Sequence, residues 1–269
     1  MKPYSAHIGY LYSELPFAER IGAAAKDGFT AIEHPEPFDL PAYEMRVRLD
    51  DAGLSFSQLS SGMGDVARGE KGIAALRGRE AEFRTAFLRA VEYAHEVGCR
   101  FVHPMAGVPS GGLLDACETY HANLGWAIEA CYGSGVAVLL EAITAPGYHL
   151  ASLTEAVALH DRFGQRFKIL FDTYHAAVLH IDAVKWIDKH ADRIGHVHIA
   201  DHPRRHQPGT GTIDFPEILQ SLDRSGYRGA IGFEYQPTAS THESIGFLKT
   251  WRHEAEPAAR SSIHSGAVS

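Results

Sequence analysis

Cysteine is scarce in this chain: three occur in 269 residues, at positions 99, 117 and 131. An odd number without close metal spacing argues against a disulfide framework or a cysteine-built zinc site, and fits thiols in a reducing compartment. Long apolar runs are missing too. Nothing approaches the roughly 20 apolar residues of a membrane helix, and the first residues lack the apolar stretch of a signal peptide, so a cytoplasmic location is expected. Positive charge is short, and a net charge of −8 argues against a nucleic-acid surface, which needs basic groups to meet phosphates. No glycine-rich dinucleotide fingerprint follows the first apolar run, which argues against an open nucleotide-binding sheet. What remains, 45% hydrophobic and 22% charged residues, is the composition of an ordinary globular protein with one large core.

Four short apolar runs in the second half stop at residues able to bind a cation. They span 136–141, 168–172, 196–198 and 230–234, and end on Glu141, Asp172, His198 and Glu234. One carboxylate at the end of a run is ordinary. Four in succession, three carboxylates and an imidazole, indicate a shared site. That donor set suits Mg²⁺ or Mn²⁺, with Co²⁺ as a further candidate, better than a structural Zn²⁺.

The runs belong to a longer pattern. Apolar stretches near 5–11, 30–34, 55–60, 100–104, 136–142, 168–173, 195–200 and 230–235 alternate with helical periodicity, and a glycine commonly precedes the strand. Helix starts are marked by Ser152 to Glu155, read as a capping box, and by Asp214 to Glu217 with Pro216 in the first turn. Eight β/α units predict an α/β fold of the (β/α)₈ TIM-barrel type, a single domain over 1–255, with a flexible tail at 256–269. The glycine-rich connection at 62–72 is long for a βα loop and is placed to cover the barrel mouth.

In a barrel, residues at the C-terminal strand ends converge at one mouth. Glu141 and Glu234 would then flank a metal from opposite sides, with Asp172 and His198 between. Two carboxylates astride a substrate can pass a proton between adjacent carbons, while a cation polarises the carbonyl and stabilises the enediolate. His175, three residues after Asp172, is a candidate substrate contact, as are Glu33 and His103 at the ends of the second and fourth runs. Arg204 and Arg205, close behind His198, could hold a carboxylate in a guanidinium fork. Each also has a plainer reading, as a hydrogen-bonded loop histidine or a solvated basic loop. Gly209-Thr210-Gly211 reads as the tight turn feeding the next helix, or as a phosphate cradle.

Several stretches resemble the hydroxypyruvate isomerase family of the xylose-isomerase-like barrels. Gly64-Asp65-Val66-Ala67-Arg68-Gly69-Glu70-Lys71-Gly72, followed by Gly78-Arg79-Glu80, is similar to that family's G-D-x-x-x-G-E-x-G and G-R-E. Phe171 to His175, His198 to Asp214 and Gly226 to Pro237 extend the likeness to about residue 252. The resemblance implies a Mg²⁺-type site at Glu141, Asp172, His198 and Glu234, with Glu141 and Glu234 as the acid/base pair. It implies interconversion of hydroxypyruvate and 2-hydroxy-3-oxopropanoate (tartronate semialdehyde), with Arg205, Arg79 or Arg204 meeting the substrate carboxylate.

The chain departs from the family in having His198 where many members have glutamine, Gln207 and Thr212 where they have glutamate, and Ala142 where they have proline. Relatives isomerise 2-oxo-tetronates or epimerise ketoses, so the partner is expected to be a small hydroxy-keto acid or ketose. A homo-oligomer is left open, since no interface signature is visible. Two other classes compete: a multinuclear zinc DNA-repair endonuclease, which needs more ligand histidines than Gln58 to Ser61 supply, and a non-catalytic sugar-acid-binding barrel.

Overall fold

The computed structural model describes residues 2–254, in which short strands alternate with helices throughout. The expected tail at 256–269 lies outside the described residues, as do residues 1 and 255 of the expected barrel span. The first four strands are β1 (Tyr4–His7), β2 (Ala31–Glu33), β3 (Ser55–Phe56) and β4 (Leu59–Ser61). Then follow β5 (Phe101–Pro104), β6 (Ala137–Glu141), β7 (Phe167–Asp172), β8 (Ile194–Ile199) and β9 (Ile231–Phe233). The helices between them are α1 (Phe17–Lys26), α2 (Ala42–Ala52), α3 (Glu80–Val97), α4 (Leu113–Ala130) and α5 (Leu153–Phe163). The remainder are α6 (Thr173–Val178), α7 (Ala183–His190), α8 (Phe215–Arg224), α9 (Thr241–Ser244) and α10 (Phe247–Glu254).

Every strand pairing is parallel, and the order is β3-β2-β1-β9-β8-β7-β6-β5-β4. The two ends of that order, β3 and β4, are successive pieces of one extended stretch interrupted at Ser57 and Gln58. Its first half pairs with β2 and its second half with β5, so the sheet closes on itself. Nine segments thus fill eight positions of a (β/α)₈ barrel, at the places the apolar runs predict. The strands are covered on both faces, as in β8, where all six residues are buried.

Two local expectations change. The first run stops being a strand at His7, because the amides of Tyr10 and Leu11 both turn back to its carbonyl at 2.9 Å. Ser152 caps α5 by accepting from the Glu155 amide, without the reciprocal bond of a full capping box; the complete box is formed by Ser240 and Glu243 on α9. Asp214 caps α8 as expected, with Pro216 in its first turn. No helix among the described residues is long and apolar enough to cross a membrane.

Candidate active site

The four strand-end residues meet at the barrel mouth because parallel register places them there. Asp172 of β7 stands opposite His198 of β8, and His198 opposite Gly232 of β9. Glu141 closes β6, and Glu234 follows β9 directly, its amide bonded to the Ile199 carbonyl. One donor atom from each of Glu141, Asp172, His198 and Glu234 lies within 4.8 Å of all the others.

Each donor is oriented by its surroundings. Asp172 caps α6: its Oδ1 accepts from the amides of Tyr174 at 2.7 Å and His175 at 3.1 Å, which leaves Oδ2 for the site. His198 turns Nδ1 toward Glu234 Oε2, 3.0 Å away, and toward Glu141 Oε1 at 3.9 Å. Its Nε2 faces Glu33 Oε1 at 3.2 Å. A carboxylate behind a ligating imidazole fixes which ring nitrogen keeps its lone pair. Glu33 is itself gripped by His196 Nε2 at 2.6 Å and Ser57 Oγ at 2.8 Å. Gly232 leaves room for this group, since a Cβ there would strike Glu33 Oε1, His196 Nε2 and His198 Cδ2.

These residues fit a hard divalent cation. Glu141 Oε1 is buried without a hydrogen-bond partner among the described residues. His198 Nδ1 approaches Glu234 closely, yet without hydrogen-bond geometry, as donors aimed at a common point do. Three carboxylates and one imidazole are a donor set for Mg²⁺, Mn²⁺ or a similar ion.

The two glutamates sit in different fields. Burial, followed by the charge of Glu234, raises the Glu141 carboxyl above its ordinary value, although His198 opposes this. Burial would raise Glu234 as well, but the Arg205 guanidinium and His198 hold it well below the usual carboxylate range. Arg205 Nη2 lies 2.5 Å from Glu234 Oε2 and 3.2 Å from Asp172 Oδ2. Its guanidinium also sits between the rings of Tyr10 and Tyr174, 5.7 and 5.3 Å from their centroids. Arg205 takes a left-handed backbone with φ of +57°, a strain commonly kept at functional sites.

A cavity of about 500 Å³ opens above this cluster. Glu141, His198, Glu234, His175, His103 and Arg205 line it, while Asp172 lies just beneath. His175 Nδ1 accepts from the Thr144 amide, so its proton sits on Nε2, which faces Glu141 and Asp172 at 3.8 and 3.9 Å. Burial pushes His103 down to about 3, so it is neutral at the mouth.

Three expected substrate contacts lie elsewhere. Glu33 is fully buried behind His198 and does not border the cavity. Arg204 is exposed and outside its lining. Arg79 is bound by Glu70 at 2.8 Å and by Glu82 at 2.6 Å, which anchors the 62–72 loop instead of facing the cavity. That loop does border the mouth, through Met63, Val66, Gly69, Glu70 and Lys71.

Two histidines escaped the sequence reading. His7 ends β1, 3.6 Å from Glu234 Oε1. Its place at the end of a strand is the same signal that marks Glu141 and Asp172, and the turn at Tyr10 and Leu11 sets where that strand ends. His196 lies two residues before His198 on β8, a spacing that puts both side chains on the same face.

Known proteins resemble this chain closely. The family profile of xylose isomerase-like TIM barrels matches residues 21–251. The 2-oxo-tetronate isomerase of Cupriavidus necator is 38% identical over 257 residues, covering 93% of this chain and 99% of that one. Hydroxypyruvate isomerase of Escherichia coli is 32% identical over 260 residues, covering 94% and 100%. Among solved structures, an AP endonuclease of family 2 from Brucella melitensis has a TM-score of 0.89 at 32% identity, covering 93% and 99%. An L-ribulose 3-epimerase structure shares the fold, with a TM-score of 0.77 at 21% identity over 98% of this chain and 100% of that one.

Proposed function

Because this chain belongs to the xylose isomerase-like TIM barrel family, we propose that its barrel mouth is the active site of a metal-assisted isomerase of a small hydroxy-keto acid. The observation that carries the reading is the meeting of Glu141 and Glu234 in one donor cluster with Asp172 and His198 at the cavity. Two carboxylates beside one bound substrate can share the work of base and acid.

In this reading Glu141, Asp172, His198 and Glu234 hold Mg²⁺ or Mn²⁺, and Co²⁺ is also compatible. The ion, when bound, polarises the substrate carbonyl and spreads the charge that develops on its oxygen. Glu234, kept ionised by Arg205 and His198, takes the proton from the carbon beside the carbonyl. The electron pair of that C–H bond forms the double bond of an enediolate. A proton is returned to the former carbonyl carbon from the side of Glu141, and the two carboxyl groups reset by proton exchange with solvent between turnovers. His175, with its Nε2 proton facing the site, serves the oxygen-to-oxygen proton shift that completes the isomerisation. Positioned acid–base groups of this kind contribute roughly 10²–10⁴-fold.

The substrate class is a 2-oxo hydroxy acid of three or four carbons. The higher identity to a 2-oxo-tetronate isomerase, 38% against 32%, favours the four-carbon acid over the hydroxypyruvate implied by the sequence motifs. The nuclease reading finds less support: the net charge is −8, and the curated relatives at 38% and 32% identity carry isomerase names. Purified protein loaded with Mn²⁺ should isomerise 2-oxo-tetronate or hydroxypyruvate, followed by NMR, and should bind one ion per chain. No turnover of either acid, or three ions per chain, would overturn the proposal.

A further inference from the structure

We propose that Lys71, on the loop over the barrel mouth, is the cation that recognises the substrate carboxylate and so sets a preference for sugar acids over neutral ketoses. This rests on the isomerase reading above and adds to it the source of acid specificity.

Among the described residues, only two that border the cavity carry a permanent positive charge, Lys71 and Arg205. Arg205 is already committed to Asp172 and Glu234. The three carboxylates of the donor cluster are balanced by that guanidinium and a divalent ion together. An incoming carboxylate therefore needs another positive group. The Lys71 side chain has no hydrogen-bond or ion-pair partner among the described residues. Its neighbour Glu70 cannot neutralise it, because both Glu70 oxygens are engaged by Arg79 and one also takes the Asp65 amide at 2.7 Å.

The backbone holds this lysine at the fixed end of its loop. Gly72 forms an antiparallel bridge with Ala106, its amide reaches the Met63 carbonyl at 2.9 Å, and the Ile73 amide reaches the Met105 carbonyl at 3.1 Å. The approach is so close that a Cβ at Gly72 would lie 2.5 Å from the Met105 oxygen, and one at Gly107 would strike the Gly72 carbonyl. Only glycine permits this contact at both positions, where φ is +130° and +88°. The Glu70–Lys71–Gly72 sequence thus has a physical reading: Glu70 ties the loop to Arg79, Gly72 joins it to the segment after β5, and Lys71 stands between them at the cavity.

The test compares 2-oxo-tetronate with erythrulose, the same four-carbon chain bearing CH₂OH in place of the carboxylate. Lys71→Met should lower the ratio of kcat/KM for the acid to that for the ketose roughly tenfold, the worth of one charge-assisted contact. The loss should lie in KM, Lys71→Arg should restore the ratio, and Mn²⁺ affinity should not move. Binding of glycerate, which has no carbonyl to isomerise, should weaken to a similar degree by calorimetry. An unchanged ratio, or equal losses on acid and ketose, overturns the role of Lys71. If the wild type turns over neither compound, the isomerase reading fails, and unaltered glycerate binding in Lys71→Met would then overturn the carboxylate site as well.

Discussion

Replacing Glu33 by glutamine changes one atom behind the proposed metal site, and its consequence can be worked through contact by contact. Glu33 presents two carboxylate oxygens to the Ser57 hydroxyl, which donates at 2.8 Å, and to two imidazole nitrogens in close ionic contact, His196 Nε2 at 2.6 Å and His198 Nε2 at 3.2 Å. An amide has one acceptor oxygen and an NH₂ that donates. One imidazole must therefore face a donor or move its proton to the other ring nitrogen. For His198 that move protonates Nδ1, the nitrogen turned toward Glu234 and Glu141, and removes the lone pair that would ligate the ion. Loss of such an outer partner typically costs 10–100-fold in metal affinity, about 1.4–2.8 kcal/mol. Titrating the purified variant with Mn²⁺ and following the free-ion EPR signal measures this directly, with circular dichroism confirming the fold. A dissociation constant within about twofold of wild type would show that Glu33 does not orient His198.

Two further perturbations probe the same region. Gly232→Ala places a Cβ against Glu33, His196 and His198 in the closed centre of the barrel, and should cost about 1–3 kcal/mol by urea unfolding; unchanged stability would mean the neighbouring strands yield freely. His103 is held neutral down to about pH 3, whereas in the unfolded chain it takes up a proton near 6.5. Its folded value is depressed, so as pH falls below about 6.5 the unfolded state gains the proton first and stability is lost until the folded group titrates. Between pH 7 and 5 the wild type should lose about 2 kcal/mol more than His103→Asn, and equal losses would contradict that assignment.

Much of the fold is legible in the sequence because a parallel barrel repeats one physical unit. Runs buried on both faces stand out against amphipathic helices, and all eight predicted positions hold strands. Glu141, Asp172, His198 and Glu234 converge because strand ends in such a barrel share one rim. Depth is what spacing does not encode. Glu33 ends β2 as Glu141 ends β6, yet the network with His196 and Ser57 draws it beneath the site. Nor does spacing say which cation meets which carboxylate. Arg79 and Arg204 read like Arg205 in the chain, but Glu70 and Glu82 capture the first and solvent takes the second.

In the proposed mechanism Glu234 removes a proton from one substrate carbon and a second proton reaches the adjacent carbon from the side of Glu141. The most direct test is NMR of 2-oxo-tetronate and hydroxypyruvate in D₂O with the Mg²⁺-loaded wild type, Glu141→Gln and Glu234→Gln, counting deuterium gained at carbon against product formed. The account predicts isomerisation with solvent deuterium entering at carbon for the wild type, and at least about 10²-fold slower turnover in each variant. Full activity in either variant would contradict it.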